Sequence, residues 1–230
     1  MGRNARNAVV ALAMLLCSAA HAAPCMTGSL VDYLGLGSTG CTIGSAQFSD
    51  FSLPAVANAD DPIAPSAVQV VPAQDAGGAG FSLLFNQDAV AAESFGLRVG
   101  FLAAGLPGFA FTAALSSLVG ASSGDGVVGL FTDLCRGSAF ADPDTLACGG
   151  TPDSNVIVGS GTTGSAFAFT SPIGVVGEVF VDGGFAGAAS LASADLRFAV
   201  AAVPEPGTCA LLALGLGAAA FARRRERVSR

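Results

Sequence analysis

The chain lacks or nearly lacks several residue types on which enzymes and sugar-binding proteins depend. Lysine and tryptophan are absent from its 230 residues, and tyrosine and histidine occur once each, as Tyr33 and His21. His21 lies in a segment that we expect to be removed on export, so no imidazole would remain for a catalytic triad, a proton relay or a metal site. A glycosidase would need paired carboxylates in a cleft, yet only Glu93 and Glu178 are glutamates between residues 23 and 203. We expect no enzyme activity and no cofactor.

Positive charge is equally scarce in the central part of the chain. Between residues 23 and 203, three arginines stand against 15 acidic residues, a formal charge of about −12. Nucleic acid is excluded as a partner, because phosphate binding requires clusters of basic side chains. Cations and neutral glycans remain compatible with this charge, although solubility and mutual repulsion explain it equally well.

The first 22 residues have the layout of a cleavable secretory signal peptide. Arg3 and Arg6 precede an apolar stretch at 8–16, and small residues at Ala20 and Ala22 follow it. This pattern predicts cleavage after Ala22 and an exported domain over residues 23–202.

Residues 203–230 form a second, three-part signal at the other end of the chain. Pro204, Glu205 and Pro206 interrupt the backbone, because proline on both sides of Glu205 prevents helix continuation. The apolar run 208–222 would reach roughly 22 Å as a helix, short of a hydrocarbon core of about 30 Å. A basic cluster then stops transfer on the cytoplasmic side, and its first members are Arg223, Arg224 and Arg225.

This C-terminal arrangement resembles the PEP-CTERM sorting signal of Gram-negative bacteria. The resemblance implies that exosortase, a membrane-embedded enzyme, recognises Pro204, Glu205 and Pro206 and cuts the precursor during a transient stay in the inner membrane. It also implies an association with exopolysaccharide and the cell surface or biofilm matrix. The alternative is an ordinary single-pass anchor with a proline-rich stem.

The cysteines predict two short disulfide loops. Of the six, Cys17 and Cys209 fall in the two terminal signals, which leaves an even set in the exported domain: Cys25, Cys41, Cys135 and Cys148. Three connectivities are possible, and the short spacings favour Cys25 with Cys41 and Cys135 with Cys148. Each loop would contribute roughly 3 kcal/mol by chain entropy. Neither pair has the close spacing of a zinc site.

The central region reads as an all-β domain, an antiparallel β-sandwich or jelly roll, between a signal helix and a C-terminal transmembrane helix. Turn signals at 77–78, 124–125 and 183–184 separate alternating segments, while helix signals are few. The predicted strands are 28–34, 43–51, 67–71, 80–85, 95–102, 109–118, 126–134, 156–160, 166–169, 175–181 and 189–200. Exposed loops are expected at 57–65 and 135–155.

Alternation within two of these strands predicts one buried and one solvated face. Leu97, Val99 and Phe101 fall on one side while Arg98 falls on the other, and Arg197 occupies the equivalent polar side of its own strand. The 16 phenylalanines predict a core of Phe, Leu and Val between two sheets.

One acidic constellation is a weak calcium candidate. Asp142, Asp144 and Asp153, with Asn155, offer hard oxygen ligands near the predicted Cys135–Cys148 loop. The spacing is not that of an EF-hand, so a solvated loop is the simpler interpretation.

Two classes of function follow from these observations. The first is an exported structural protein of the cell surface or extracellular matrix, and the second is a carbohydrate- or calcium-binding adhesion module of the same fold. Sugar rings usually stack on Trp or Tyr, and the scarcity of both favours the structural class.

Overall fold

The computed structural model describes residues 22–203. The predicted signal peptide and the tail that contains Pro204, Glu205, Pro206 and the arginine cluster lie outside this part of the chain. The strands of the described part are β1 Gly28–Ser29, β2 Cys41–Ile43, β3 Ala46–Ser52, β4 Asp61–Pro62, β5 Gln69–Asp75, β6 Gly78–Val90, β7 Ser94–Gly105, β8 Phe109–Ser123, β9 Val127–Arg136, β10 Phe140–Asp142, β11 Ala147–Cys148, β12 Thr151–Val158, β13 Gly161–Thr170, β14 Ile173–Asp182 and β15 Ala188–Ala202. Helix α1 is Leu30–Leu34, and Pro65–Ala67 form a 3-10 turn.

Two sheets face each other and confirm the predicted antiparallel β-sandwich. One has six strands in the order β1-β5-β6-β15-β8-β13. The other has seven strands, six of them in the order β12-β9-β14-β7-β3-β2 and the seventh, β4, beside β7. Neighbouring strands are antiparallel along both paths, while β4 pairs with β7 in parallel and β10 with β11 form a separate small hairpin. No helix among residues 22–203 is long and apolar enough to cross a bilayer.

The three predicted turns join consecutive strands of the sandwich. Asp125, in the β8–β9 turn, accepts hydrogen bonds from the backbone N–H groups of Phe185 and Ala186 in the β14–β15 turn, at 2.9 and 3.0 Å. These bonds favour the ionised carboxylate and hold the pKa of Asp125 below its usual value. Gly184, at φ +66°, supplies the left-handed backbone that the second turn needs. One carboxylate therefore ties together two turns at the same end of the sandwich.

The predicted strand 28–34 is confirmed only at Gly28–Ser29, because a side chain caps a helix that follows directly. Ser29 Oγ accepts from the Asp32 N–H at 3.3 Å, and Asp32 Oδ2 accepts from the Ser29 N–H at 2.8 Å. This reciprocal capping box starts α1, and hydrogen bonds from Ser29 lower the pKa of Asp32. The short helix then buries Leu30 and Tyr33 against the sheets.

Three other boundaries also differ from the sequence-based prediction. The predicted strand 43–51 is a hairpin of β2 and β3, because Gly44 takes a left-handed conformation at φ +58°. The predicted loop 57–65 contains β4 and buries Ile63. The predicted loop 135–155 contains β10, β11 and the first half of β12.

Phenylalanine rings fill the space between the sheets. Phe48 and Phe198 are almost fully buried, and the ring of Phe48 meets Phe81 edge to face at a centroid distance of 4.7 Å. Edge-to-face contacts are favourable because the electropositive ring edge meets the electronegative face. Tyr33 extends the cluster and donates its hydroxyl hydrogen to the Met26 carbonyl at 2.7 Å, while burial raises its pKa to about 12.

A buried ion pair lies on the outer face of the seven-stranded sheet, where the alternation predicted solvent. Arg98 on β7 and Glu178 on β14 are directly paired in register, and their side chains are only 7% and 6% exposed. Arg98 Nε lies 3.7 Å from Glu178 Oε2. The expectation of a wet face around Arg98 is therefore wrong.

A crossing segment, residues 53–59, buries this pair and is held by it. Glu178 Oε1 accepts from the backbone N–H groups of Ala57 and Asn58 at 2.9 and 2.7 Å, and from the Asn58 amide at 3.0 Å. Arg98 Nη1 donates to the carbonyls of Ala55 and Asp144 at 3.1 and 3.3 Å. The pair thus satisfies backbone groups that the crossing segment would otherwise bury without partners.

Two glycines leave room for the residues that lie against the outer face of β7. A Cβ at Gly96 would come within 2.7 Å of Val56, and one at Gly100 within 2.6 Å of Ser52 Oγ. Both glycines share the outer face of β7 with Arg98. A larger residue at Gly96 would push the crossing segment away from the sheet, and one at Gly100 would collide with the Ser52 side chain of β3.

We predict that breaking this pair costs much more stability than breaking a surface pair. Glu178→Gln should lower the free energy of unfolding by about 3–5 kcal/mol, because Arg98 would remain buried without a countercharge. Arg98→Met should have a similar effect, and the double variant Arg98→Met/Glu178→Gln should lose less than the sum of the two. Urea titration of the mature protein measures all three.

The matched control is Asp75→Asn. Its carboxylate pairs with Arg197 at 3.5 Å, but the Asp75 side chain is 57% exposed, so the loss should stay below about 1 kcal/mol. Equal losses for Glu178→Gln and Asp75→Asn would contradict the role assigned to the buried pair.

Candidate sorting site and acidic loop

The predicted sorting motif follows directly on the last strand of the sandwich. Ala202 ends β15 opposite Phe109, and the N–H of Val203 donates to the Gly108 carbonyl at 2.8 Å. Pro204 is the next residue, and it lies outside the described residues together with Glu205, Pro206 and Arg223, Arg224 and Arg225. The fold therefore continues to the residue before the motif.

The strand that leads into the motif is firmly held. β15 lies between β6 and β8 and pairs with both. Leu196 and Phe198 on its inner face are buried in the core. On its outer side, Arg197 forms ion pairs with Asp75 at 3.5 Å and Asp195 at 3.2 Å. These contacts fix the direction in which the chain leaves the domain.

A half-open cavity of about 250 Å³ lies at this exit end of the sandwich. Its lining includes Ser45, Gln74, Asp75, Phe109 and Val200. The only carboxylate among the lining residues, that of Asp75, is already engaged by Arg197 and by the Gly77 N–H at 2.7 Å. The cavity therefore offers no second carboxylate for acid–base chemistry.

Two of the calcium candidates are hydrogen-bond acceptors in the acidic loop, residues 142–146, which joins β10 to β11. Asp142 accepts from the Thr145 hydroxyl at 2.9 Å and from the Asp144 N–H at 3.0 Å. These two bonds, the hydroxyl first, lower the pKa of Asp142. Asp144 Oδ1 accepts from the Ala55 N–H at 2.6 Å and so fastens this loop to the crossing segment.

The third candidate and its neighbour lie on β12 and point to other partners. Asp153 Oδ2 is 3.9 Å from Arg136 Nε, and Asn155 Oδ1 accepts from the Ser165 hydroxyl at 3.2 Å. The structure does not bring Asp142, Asp144 and Asp153 together. Within residues 22–203 no group of three or more His, Cys, Asp or Glu side chains is placed to hold a metal ion.

Both disulfides that the spacing favours are formed. Cys25 is bonded to Cys41, which joins the first described residues to β2, and Cys135 is bonded to Cys148, which joins the end of β9 to β11. The second bond closes the base of the acidic loop. The predicted pairing is therefore confirmed.

Sequence reasoning missed the most strongly constrained polar group in the described chain. In the sequence Glu178 stands out only as one of two glutamates in the domain, yet its Oε1 accepts from three donors of the crossing segment and its carboxylate faces Arg98. A signal was present in the sequence. Gly96 and Gly100 flank Arg98 at alternate positions, which is the pattern of a strand face that another segment covers closely.

Two solved structures are similar to the described domain at low identity. The structure of TmCBM61 in complex with beta-1,4-galactotriose covers 66% of this chain and 88% of its own, at 15% identity and a TM-score of 0.29. The Glycosylation Associate Protein (Gap123) complex from Streptococcus agalactiae covers 70% of this chain and 27% of its own, at 13% identity and a TM-score of 0.28. At these TM-scores neither likeness supports a conclusion about ligand or activity. Among the curated proteins none matches this chain.

A family model does match the end of the chain. The PEP-CTERM protein-sorting motif is found at residues 202–227, a span that begins at the last residue of β15 and includes Pro204, Glu205, Pro206 and the first arginines. Such a motif implies export, a membrane-anchored precursor and processing by exosortase. The chain therefore carries a PEP-CTERM sorting signal at residues 202–227.

Proposed function

We propose that this protein is a non-enzymatic structural component of the cell surface or extracellular polymer matrix, to which its PEP-CTERM signal delivers it. The observation that carries the proposal is the junction at Val203, where a central strand of a disulfide-bonded sandwich runs into the sorting motif. Such a junction makes the whole folded domain the cargo of the signal.

The junction also limits how far the domain can stand from the membrane before processing. From Val203 to residue 208, where the apolar run begins, an extended chain spans at most about 18 Å. While that run is inserted, the exit end of the sandwich lies at the membrane surface, within reach of a membrane-embedded enzyme. Cleavage at the motif would release the sandwich with little added tail.

The chemistry of the described domain supports a passive role after release. Its three arginines all lie in ion pairs, with Glu178, with Asp153, and with Asp75 and Asp195. The remaining acidic side chains give the domain its negative charge, which favours hydration and keeps like-charged copies apart. A hydrated, acidic and rigid sandwich suits a matrix of neutral exopolysaccharide better than it suits an anionic partner.

A sorting experiment tests the delivery step. In the native host, Glu205→Gln removes the charge of the motif, and we expect the full-length chain to accumulate in the inner-membrane fraction while the extracellular fraction loses most of the protein. Ser229→Ala is the control, since it changes the tail beyond the motif and should leave processing unchanged. Release of Glu205→Gln at the wild-type level would contradict the proposal.

One observation favours the alternative, a carbohydrate- or calcium-binding adhesion module. Phe185 is 95% exposed at the tip of the β14–β15 turn, and the two bonds to Asp125 hold its backbone in place. A rigidly presented aromatic ring is a stacking surface for a sugar. Tyr33, in contrast, is buried and unavailable for stacking.

Glycan-array binding of the mature protein, with and without calcium, separates the two functions. The structural role predicts no retained glycan and no calcium-dependent change in Tm. Calcium-dependent retention, or retention that Phe185→Ala abolishes, would favour the adhesion module. Phe109→Ala, which removes a 38% exposed ring at the opposite end of the sandwich, is the control.

A further inference from the structure

Within residues 22–203 the sandwich has four terminal strands, of which two are short or covered and a third begins with a proline and a carboxylate. β1 has only two residues and leads straight into α1. β2 has three residues, and the segment before it runs alongside, with the Cys25 N–H donating to the Thr42 carbonyl at 2.9 Å. β12 carries Pro152 and Asp153 near its start. Short length, coverage, proline and charge are the means by which natural proteins prevent edge pairing.

The fourth terminal strand, β13, is long and uncharged. It has ten residues, and the 24 residues from Ser154 to Gly177 contain no Asp, Glu, Lys or Arg. A register shift against β8 lies between Ala166 and Thr170, so the bend is confined to the end of the strand. The first part, residues 161–166, keeps a continuous register with β8 from Leu118 to Ala113.

This segment, the open edge 161–166, pairs on one side only among the described strands and leaves backbone groups unused on the other. In an antiparallel sheet every second residue of a terminal strand directs its N–H and C=O away from the neighbouring strand. The side chains on its outer face are small, and Thr162, Gly164 and Ala166 are all exposed. No side chain in this stretch blocks the approach of another strand.

We propose that the open edge 161–166 pairs antiparallel with the same segment of a second copy of this chain, which joins two six-stranded sheets. A strand that pairs with itself in antiparallel orientation generates a two-fold axis, so each copy offers and receives the same groups. The arrangement closes at a dimer, because the two-fold pairing occupies the open edge 161–166 of both copies. It does not depend on where the protein is retained after release.

Charge is the main reason for choosing a second copy as the occupant. The exported domain is strongly acidic, so most of its surfaces repel each other. The open edge 161–166 is a terminal strand at which two copies can meet without placing carboxylates opposite each other. A basic partner, by contrast, would find no acidic side chain there to recognise.

An apolar side chain beside the edge adds to the contact. Leu115 on β8 is 36% exposed. Its Cδ2 atom lies 2.6 Å from the position that a Cβ of residue 164 would take if Gly164 had one. The leucine thus leans across the small residue toward the open edge. A strand added about 4.8 Å beyond β13 would cover part of it.

The test is the mass of the full-length chain in detergent by sedimentation velocity over a concentration series. We expect the wild type to reach the mass of a dimer at high concentration and no higher assembly. Thr162→Lys/Ala166→Lys places like charges on both copies at the edge and should leave only the monomer. A wild type that stays monomeric throughout, or a lysine variant that dimerises as the wild type does, would overturn the proposal.

The control variant is Ser66→Lys/Gln69→Lys, which adds the same two charges to exposed positions away from β13 and should dimerise like the wild type. Equal loss of the dimer in the control would also overturn the proposal. Should the edge variant be less stable, hydrogen exchange of the wild type decides the matter. Slower exchange of amides 161–166 at high concentration supports the dimer, and unchanged exchange overturns it.

Discussion

The ion pair between Arg98 and Glu178 is the constraint on which the outer layer of this protein depends. On the outer face of β7, Gly96 and Gly100 flank Arg98 and offer no side chain to hold a covering segment, so polar contacts hold the segment there. Glu178 binds its N–H groups and Arg98 binds a carbonyl on either side, from the crossing segment and from the acidic loop. Two irregular segments thereby become parts of one rigid domain.

The same pair explains why this acidic domain needs at least one arginine. Burying one carboxylate without a countercharge would cost more than a surface ion pair returns, so at least one arginine must face Glu178. Of the other two, Arg136 at the end of β9 pairs with Asp153 on the neighbouring β12, and Arg197 within β15 pairs with Asp195 on its own strand and with Asp75 on β5. The three arginines of this domain therefore stabilise the fold, whereas the unpaired carboxylates give the surface its negative charge.

Local patterns foretold the sheets better than they foretold what lies on them. Alternation in Leu97, Val99 and Phe101 and the glycine turns act within a few residues, and they correctly indicated antiparallel strands and their connections. The two disulfides were equally predictable, because each closes a short loop. The helix at Leu30–Leu34 was missed since Ser29 and Asp32 look like strand-flanking polar residues until they are seen to cap.

What could not be predicted depends on contacts between residues far apart in the chain. Alternation alone predicts a solvated Arg98, because its partner Glu178 is 80 residues away in the chain. The crossing segment that covers it, near residue 55, is also distant in sequence. Asp144 appeared to be a candidate cation ligand, yet it accepts from the N–H of Ala55, 89 residues earlier. The sorting motif itself needed no such contacts, because its three parts are contiguous in sequence.

The protein combines a disulfide-bonded sandwich with a sorting signal that processing removes, and one measurement tests both the disulfides and the processing. Intact-mass analysis of the mature protein from its native host, before and after reduction, reports both chain ends and both disulfides. The account predicts a chain that begins at Ala23, ends before the apolar run 208–222 and gains four hydrogens on reduction of its two disulfides. A mature protein that retains Arg230 would contradict it.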